Sequence, residues 1–287
     1  MNAVAVHTRW TSFDLIFFDC DSTLSALEGV DELARMKGKD WRVGLLTQKA
    51  MDGDLDLAEV YGKRLQAIRP TRAQLAAIEQ RYWETLVPDA QAVISALLHL
   101  GKQVFIISGG LAAPVRGLGR RLGIPPQHVR AVELEFNELS GAWWKYYDQA
   151  AVNGAAYLAY EHSPLTISAG KPQIVCELSH GLWGRKLFVG DGVSDLHTRS
   201  VVDLFVGFGG VARREKVERG AEAFIIANTL APILPMAAGE AGLAALRGTP
   251  YEAVMARGVA LCRDSESVKL SAPLRSAFEA TFGAAIS

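Results

Sequence analysis

Leu15-Ile16-Phe17-Phe18-Asp19-Cys20-Asp21-Ser22-Thr23 is an apolar run that ends in two carboxylates one residue apart. The run reads as a buried strand and the polar residues as the turn at its tip. Two carboxylates placed there can divide nucleophilic and acid–base work, provided something neutralises their repulsion, and a divalent cation is the natural candidate. Taken alone, Asp-x-Asp-x-Thr is short, and such a cluster is more often a turn with a helix cap.

Three further segments strengthen the catalytic interpretation. Val104-Phe105-Ile106-Ile107 runs into Ser108-Gly109-Gly110, and Lys186-Leu187-Phe188-Val189 runs into Gly190-Asp191-Gly192-Val193-Ser194-Asp195. Between them stands an isolated Lys171, in Ala169-Gly170-Lys171-Pro172. In open α/β sheets ligands bind at the carboxyl ends of parallel strands near a topological switch point, so these units can converge on one site. Ser108 offers a hydroxyl and Gly109 an amide that no Cβ shields, and Lys171 adds a point charge for an anion.

In this order the pieces resemble the haloacid dehalogenase superfamily, and within it the phosphoserine phosphatase branch. The narrower resemblance rests on residues 19–34 (DCDSTLSALEGVDELA), Leu46-Thr47 with Ala50-Met51-Asp52-Gly53, and Arg64. Ile68-Arg69-Pro70-Thr71-Arg72 and Val206-Gly207-Phe208-Gly209-Gly210 look like the eukaryotic-type members. Residues 13–226 carry the likeness, and 227–287 have no counterpart in it.

The resemblance implies an α/β fold, a doubly wound, Rossmann-like parallel sheet with an inserted helical cap. It also implies magnesium-dependent hydrolysis of a small phosphomonoester, O-phosphoserine, through an aspartyl-phosphate. Asp19 would be the nucleophile and Asp21 the general acid and base. Mg2+ would be held by Asp19, the Asp21 carbonyl and Asp191, with Thr23, Ser194 and Asp195 behind them. Ser108, Gly109, Gly110 and Lys171 would take the phosphoryl group. Glu28 would meet the substrate ammonium and Arg64 its carboxylate, and Met51 and Arg214 would complete the substrate pocket. Two positions depart from the pattern: Leu57, where relatives often carry an aromatic residue, and Ser194, where many carry Asn. The same chemistry leaves open transfer to another acceptor such as homoserine, and a non-catalytic phosphometabolite sensor is the alternative from a different class.

Composition sets the outer limits. A chain of 287 residues with 49% hydrophobic and 21% charged content has enough apolar material for a large core plus an insertion. A formal net charge of -1 gives no electrostatic case for nucleic acid or an anionic membrane. Cys20, Cys176 and Cys262 are three and widely spaced, which suggests reduced thiols. The absence of a signal-like apolar segment or a spanning run leads to the expectation of a cytoplasmic protein.

Along the chain, the expected core comprises residues 1–24 and 87–229, with a small second insertion at 131–168. Residues 25–86 read as the helical cap and 230–287 as an extension. Thr71-x-x-Gln74 forms a capping box, Asp89 opens a helix that stops at Gly101, and a further helix spans 112–122. Residues 132–136 alternate like one half-exposed strand, and 137–141 form a turn. Trp143-Trp144 and Tyr146-Tyr147 read as packing residues and not as a stacking platform. The tail has helical spacing around Leu243, Leu246, Val254 and Leu261, which leaves three roles open: packing on the core, covering the sheet edge, or a homodimer contact.

Overall fold

The structure, a computed structural model, describes residues 9–51, 57–140, 144, 145, 147, 148 and 155–283. Strand β1 (Leu15–Phe18) is wholly buried inside a seven-stranded sheet, third from one edge. It pairs in parallel with β2 (Gln103–Leu111), which in turn pairs with β3 (Val129–Val132). On its other side lie β6 (Lys186–Gly190), β7 (Leu204–Phe208) and β8 (Ala223–Ile225), all parallel. The connections leave β1 in both directions, so a crevice opens at the carboxyl ends of β1 and its neighbours, where winding reverses. Phe18 is in register with Ile106 and Val189, which sets Asp19, Ser108 and Asp191 along one edge.

Between β1 and β2 the chain forms α1 (Gly29–Met36), α2 (Asp40–Met51), α3 (Leu57–Ile68), α4 (Arg72–Glu84) and α5 (Ala90–His99). The Thr71–Gln74 capping box opens α4, as its spacing predicts. Asp89 precedes α5 but does not cap it. Its φ is 66°, and its carboxylate accepts from Thr229 at 2.7 Å and pairs with Arg257, both in or next to the tail.

Two strand expectations need correction. The sheet continues through Ser108-Gly109-Gly110 to Leu111, with a register shift after Ile107, where a loop was expected. A Cβ on Gly110 would stand 2.7 Å from Asp21 Oδ2, so glycine lets this irregular strand approach the acidic turn. The alternating stretch 132–136 is two strands, not one. Buried β3 ends at Val132, whereas β4 (Leu134–Asn137), half-buried on alternate residues, pairs antiparallel with β5 (Ala156–Tyr160) in a separate ribbon. A turn follows β4, closed by the Ser140 amide on the Asn137 carbonyl. Trp144 and Tyr147 are 58% and 78% exposed, so neither belongs to the buried core; Trp143 and Tyr146 lie outside the described residues.

Downstream come α6 (Ala112–Arg121), which follows β2, then α7 (Lys171–Leu178), α8 (Val193–Leu196) and α9 (Glu215–Gly220). The glycines after β7 answer to packing: a Cβ on Gly209 would fall 2.5 Å from the Phe224 ring. The tail supplies α10 (Ile233–Ala245), α11 (Glu252–Arg263), β9 (Val268–Leu270) and α12 (Ala272–Phe282). It takes two of the three open roles. Strand β9 pairs antiparallel with β8 and covers what would be a bare edge. The helices pack on the core, where Trp10 donates to the Met236 carbonyl at 2.7 Å and meets Phe278 edge-on at 5.4 Å. Among the described residues no helix is long and apolar enough to cross a membrane.

Phe278 is fully buried, so Phe278→Ala should destabilise the whole protein by about 3–5 kcal/mol in urea unfolding. A loss below about 1 kcal/mol would show that the tail is not part of the cooperative core.

Candidate active site

The turn after β1 is folded back on itself. The amides of Thr23, Leu24 and Ser25 all donate to the Cys20 carbonyl, at 3.3, 2.9 and 3.0 Å. Ser22 sits at φ 55°, a left-handed conformation that short polar residues tolerate, and its hydroxyl donates to Glu28 Oε1 at 2.8 Å. The Cys20 side chain is buried in the main core, as expected of a packing residue.

Lys171, at the start of α7, reaches into the crevice and bridges two buried carboxylates, Asp19 at 2.7 Å and Asp195 at 2.5 Å. Asp195 uses its other oxygen to accept from the Gly192 amide at 2.8 Å. Asp191 accepts from the Thr23 hydroxyl at 3.2 Å and pairs with Arg214 at 2.8 Å, and Arg214 also lies 3.5 Å from Glu28. Burial works against the charged form of Lys171, but Asp19 and Asp195 outweigh it and hold the ammonium well above its usual range. Burial and then Asp195 push the Asp19 carboxyl well up, against the pull of Lys171. The same two causes, opposed by Arg214, push Asp191 up to about 7.

Asp21 sits on the other wall. Its Oδ1 accepts from the Tyr82 hydroxyl at 2.6 Å and the Gly29 amide at 2.8 Å, while Ser108 Oγ lies 3.4 Å from Oδ2. Burial, with Glu28 second, raises this carboxyl to about 6, within the range where a group can both give and take a proton near neutrality. Tyr82 falls on the apolar stripe of α4 and reads from sequence as core. The one available signal was that a buried tyrosine needs a partner for its hydroxyl.

Oxygens of Asp19, Asp191 and Asp195 lie within 4.8 Å of one another. Asp21 and Glu28 line the same crevice, so five carboxylates face Lys171, Arg64 and Arg214 and the lining holds more acids than bases. An all-oxygen, acid-rich set of this kind suits a hard cation.

These groups open into a cavity of about 230 Å³ that Glu28, Gly109, Gly110, Ser194 and Arg214 also line. From the cap, Arg64 on α3 lines it too, paired with Asp31 of α1, while its Nε is buried with no partner among the described residues. Sequence reasoning missed Tyr61, which lines the cavity from α3, and residues 165–168, which line it as well. Met51 ends α2 and Leu57 begins α3, but the side chains of both lie outside the described residues.

No protein-family model matches the chain. It is 32% identical over 215 residues to the phosphoserine phosphatase of Rattus norvegicus and 33% identical over 215 residues to that of Bos taurus, covering 75% of this chain and 89% of each relative. A solved structure of a substrate-bound phosphoserine phosphatase superposes with a TM-score of 0.63 at 23% identity, over 78% of this chain and 98% of the other. That likeness bears out the α/β fold.

A divalent cation at the acidic cluster would compete with protons for the same oxygens. Because Asp191 titrates near 7 when folded, against an ordinary value of 3.8, the folded chain keeps a proton that the unfolded chain loses across that window. Stability without a cation therefore falls as pH rises toward 7, and a divalent cation restores it by replacing the proton. Thermal melts should show a large cation-induced rise in Tm at pH 8 and a small one at pH 5. A Tm at pH 8 indifferent to divalent cations would contradict the assignment.

Proposed function

This chain belongs to the phosphoserine phosphatase family, and we propose that it hydrolyses O-phosphoserine to serine and phosphate through a phosphoryl group carried by Asp19. The observation that carries this is the meeting of Glu28 and Arg64 with Asp19, Asp21 and Lys171 around one cavity. Phosphoserine bears an ammonium, a carboxylate and a phosphate. Glu28 answers the first and Arg64, with its unpartnered Nε, the second. Met51 belongs to the pocket by sequence resemblance alone.

Asp19 attacks phosphorus in line, while the Ser108 hydroxyl, the Gly109 amide and Lys171 hold the phosphoryl oxygens and Gly110 lets the backbone come close to them. Asp21 protonates the departing serine oxygen, then takes a proton from the water that attacks the aspartyl-phosphate. The all-oxygen donor set fits Mg2+, which the carboxylates of Asp19 and Asp191 and the Asp21 carbonyl would hold. When bound, Mg2+ neutralises charge on Asp19 and on the transferring phosphoryl group. Asp195 keeps an outer role, since Lys171 and the Gly192 amide already engage both its oxygens. Thr23 and Arg214 hold Asp191 in place, and Ser194 stands beside it at the cavity wall.

In this scheme residues 1–24 and 87–229 form the catalytic core, with its insertion at 131–168. Residues 25–86 form the cap that recognises the amino-acid end, and 230–287 a stabilising extension.

Asp19→Asn should abolish phosphate release from phosphoserine and from a simple aryl phosphate alike. Arg64→Ala should raise KM for phosphoserine by about 10- to 100-fold, the weight of a charge-assisted pair, and leave the aryl phosphate nearly untouched. Comparable losses on the aryl phosphate from both changes would contradict this division.

A further inference from the structure

Tyr61 lies on α3 four residues beyond Leu57, and its ring forms part of the cavity wall. Its hydroxyl donates to the Gly109 carbonyl at 2.9 Å, a bond that ties the cap to the strand segment carrying Ser108. The Gly109 carbonyl and the Gly110 amide belong to one planar peptide unit, so fixing one end fixes the other. The Gly110 amide donates to Ser108 Oγ at 2.9 Å, and Ser108 in turn points its hydroxyl to Asp21 Oδ2 at 3.4 Å. Four groups from two parts of the fold thus stand in series, each donor polarising the next.

The ring of Tyr61 is braced from outside the cap. Tyr160 of β5 packs against it with ring centroids 5.3 Å apart. Its neighbour in sequence makes that approach feasible: a Cβ on Gly62 would stand 2.9 Å from the Tyr160 hydroxyl oxygen. A tyrosine serving as apolar wall alone would need no hydroxyl aimed at a backbone carbonyl.

We propose that Tyr61 is a positioning residue: seating α3 over the cavity sets the Gly109–Gly110 peptide and, through it, aims the Ser108 hydroxyl. Phosphoryl transfer then runs at full rate only with the cap seated. The kinetic consequence rests on the phosphatase reading; the structural link does not.

Tyr61→Phe keeps the ring and removes the donor. On both phosphoserine and an aryl phosphate, kcat should fall about five-fold, the scale of one ordinary hydrogen bond, with KM within about two-fold. Hydrogen exchange at the Gly110 amide, which needs no turnover, should quicken by about the same factor. Unchanged kcat and exchange would overturn the proposal. So would a rise in KM with kcat and exchange unchanged, since Tyr61 would then be pocket wall and nothing more. If the wild-type protein releases no phosphate, the phosphatase reading falls, and exchange at Gly110 still decides: faster in the variant upholds the link, unchanged removes it.

Discussion

The contact of Lys171 with Asp19 and Asp195 is the interaction on which the rest of the site depends. Buried carboxylates gathered at one sheet edge repel each other and resist ionisation, and an ammonium among them is what the fold itself supplies against that. Removing it would leave uncompensated buried charge, a loss of roughly 3–5 kcal/mol where such pairs are broken. Arg214 offsets Asp191 in the same way, so charge balance links the start of α7, the turn after β6 and the turn after β1 into one unit. The sheet makes this possible, because β1 and β6 are adjacent and in register.

The helices between β1 and β2 supply groups to the site as well as to the core. Tyr82 on α4 and the Gly29 amide at the start of α1 hold one oxygen of Asp21. Leu75, Ile78 and Tyr82 are themselves buried in the main core, so this wall of the cap is anchored. Arg64 and Tyr61, on α3, line the cavity from the same stretch of chain, and Tyr61 also reaches the Gly109 carbonyl. In the mechanism proposed above, proton transfer and substrate choice therefore draw on different helices.

What was legible in the sequence follows from how each signal arises. Strands buried on both faces leave uninterrupted apolar runs, and β1 and β6 were plain for that reason. Asp19, Asp21, Asp191 and Asp195 cluster at strand ends, where a short stretch of sequence already places them together. Glu28 and Arg64 were visible through family likeness alone, since a charged helix residue looks the same whether it faces water or a cavity. Tyr82 reads as a core aromatic and Tyr61 was missed, because periodicity reports burial and says nothing of where a hydroxyl points. Strand β9 went unseen because three residues among helical patterns carry no period, and its role comes from β8, which needed an edge partner. The stretch 132–136 alternates across a change of partner at Glu133, which no local pattern records.

The most direct test is to quench the protein in acid during turnover of phosphoserine with Mg2+ and map phosphoryl groups by mass spectrometry. One phosphoryl group on the peptide containing Asp19, absent from Asp19→Asn, is the predicted result. Steady phosphate release with no phosphoryl group on that peptide, or with one carried by another residue, would contradict the account at its centre.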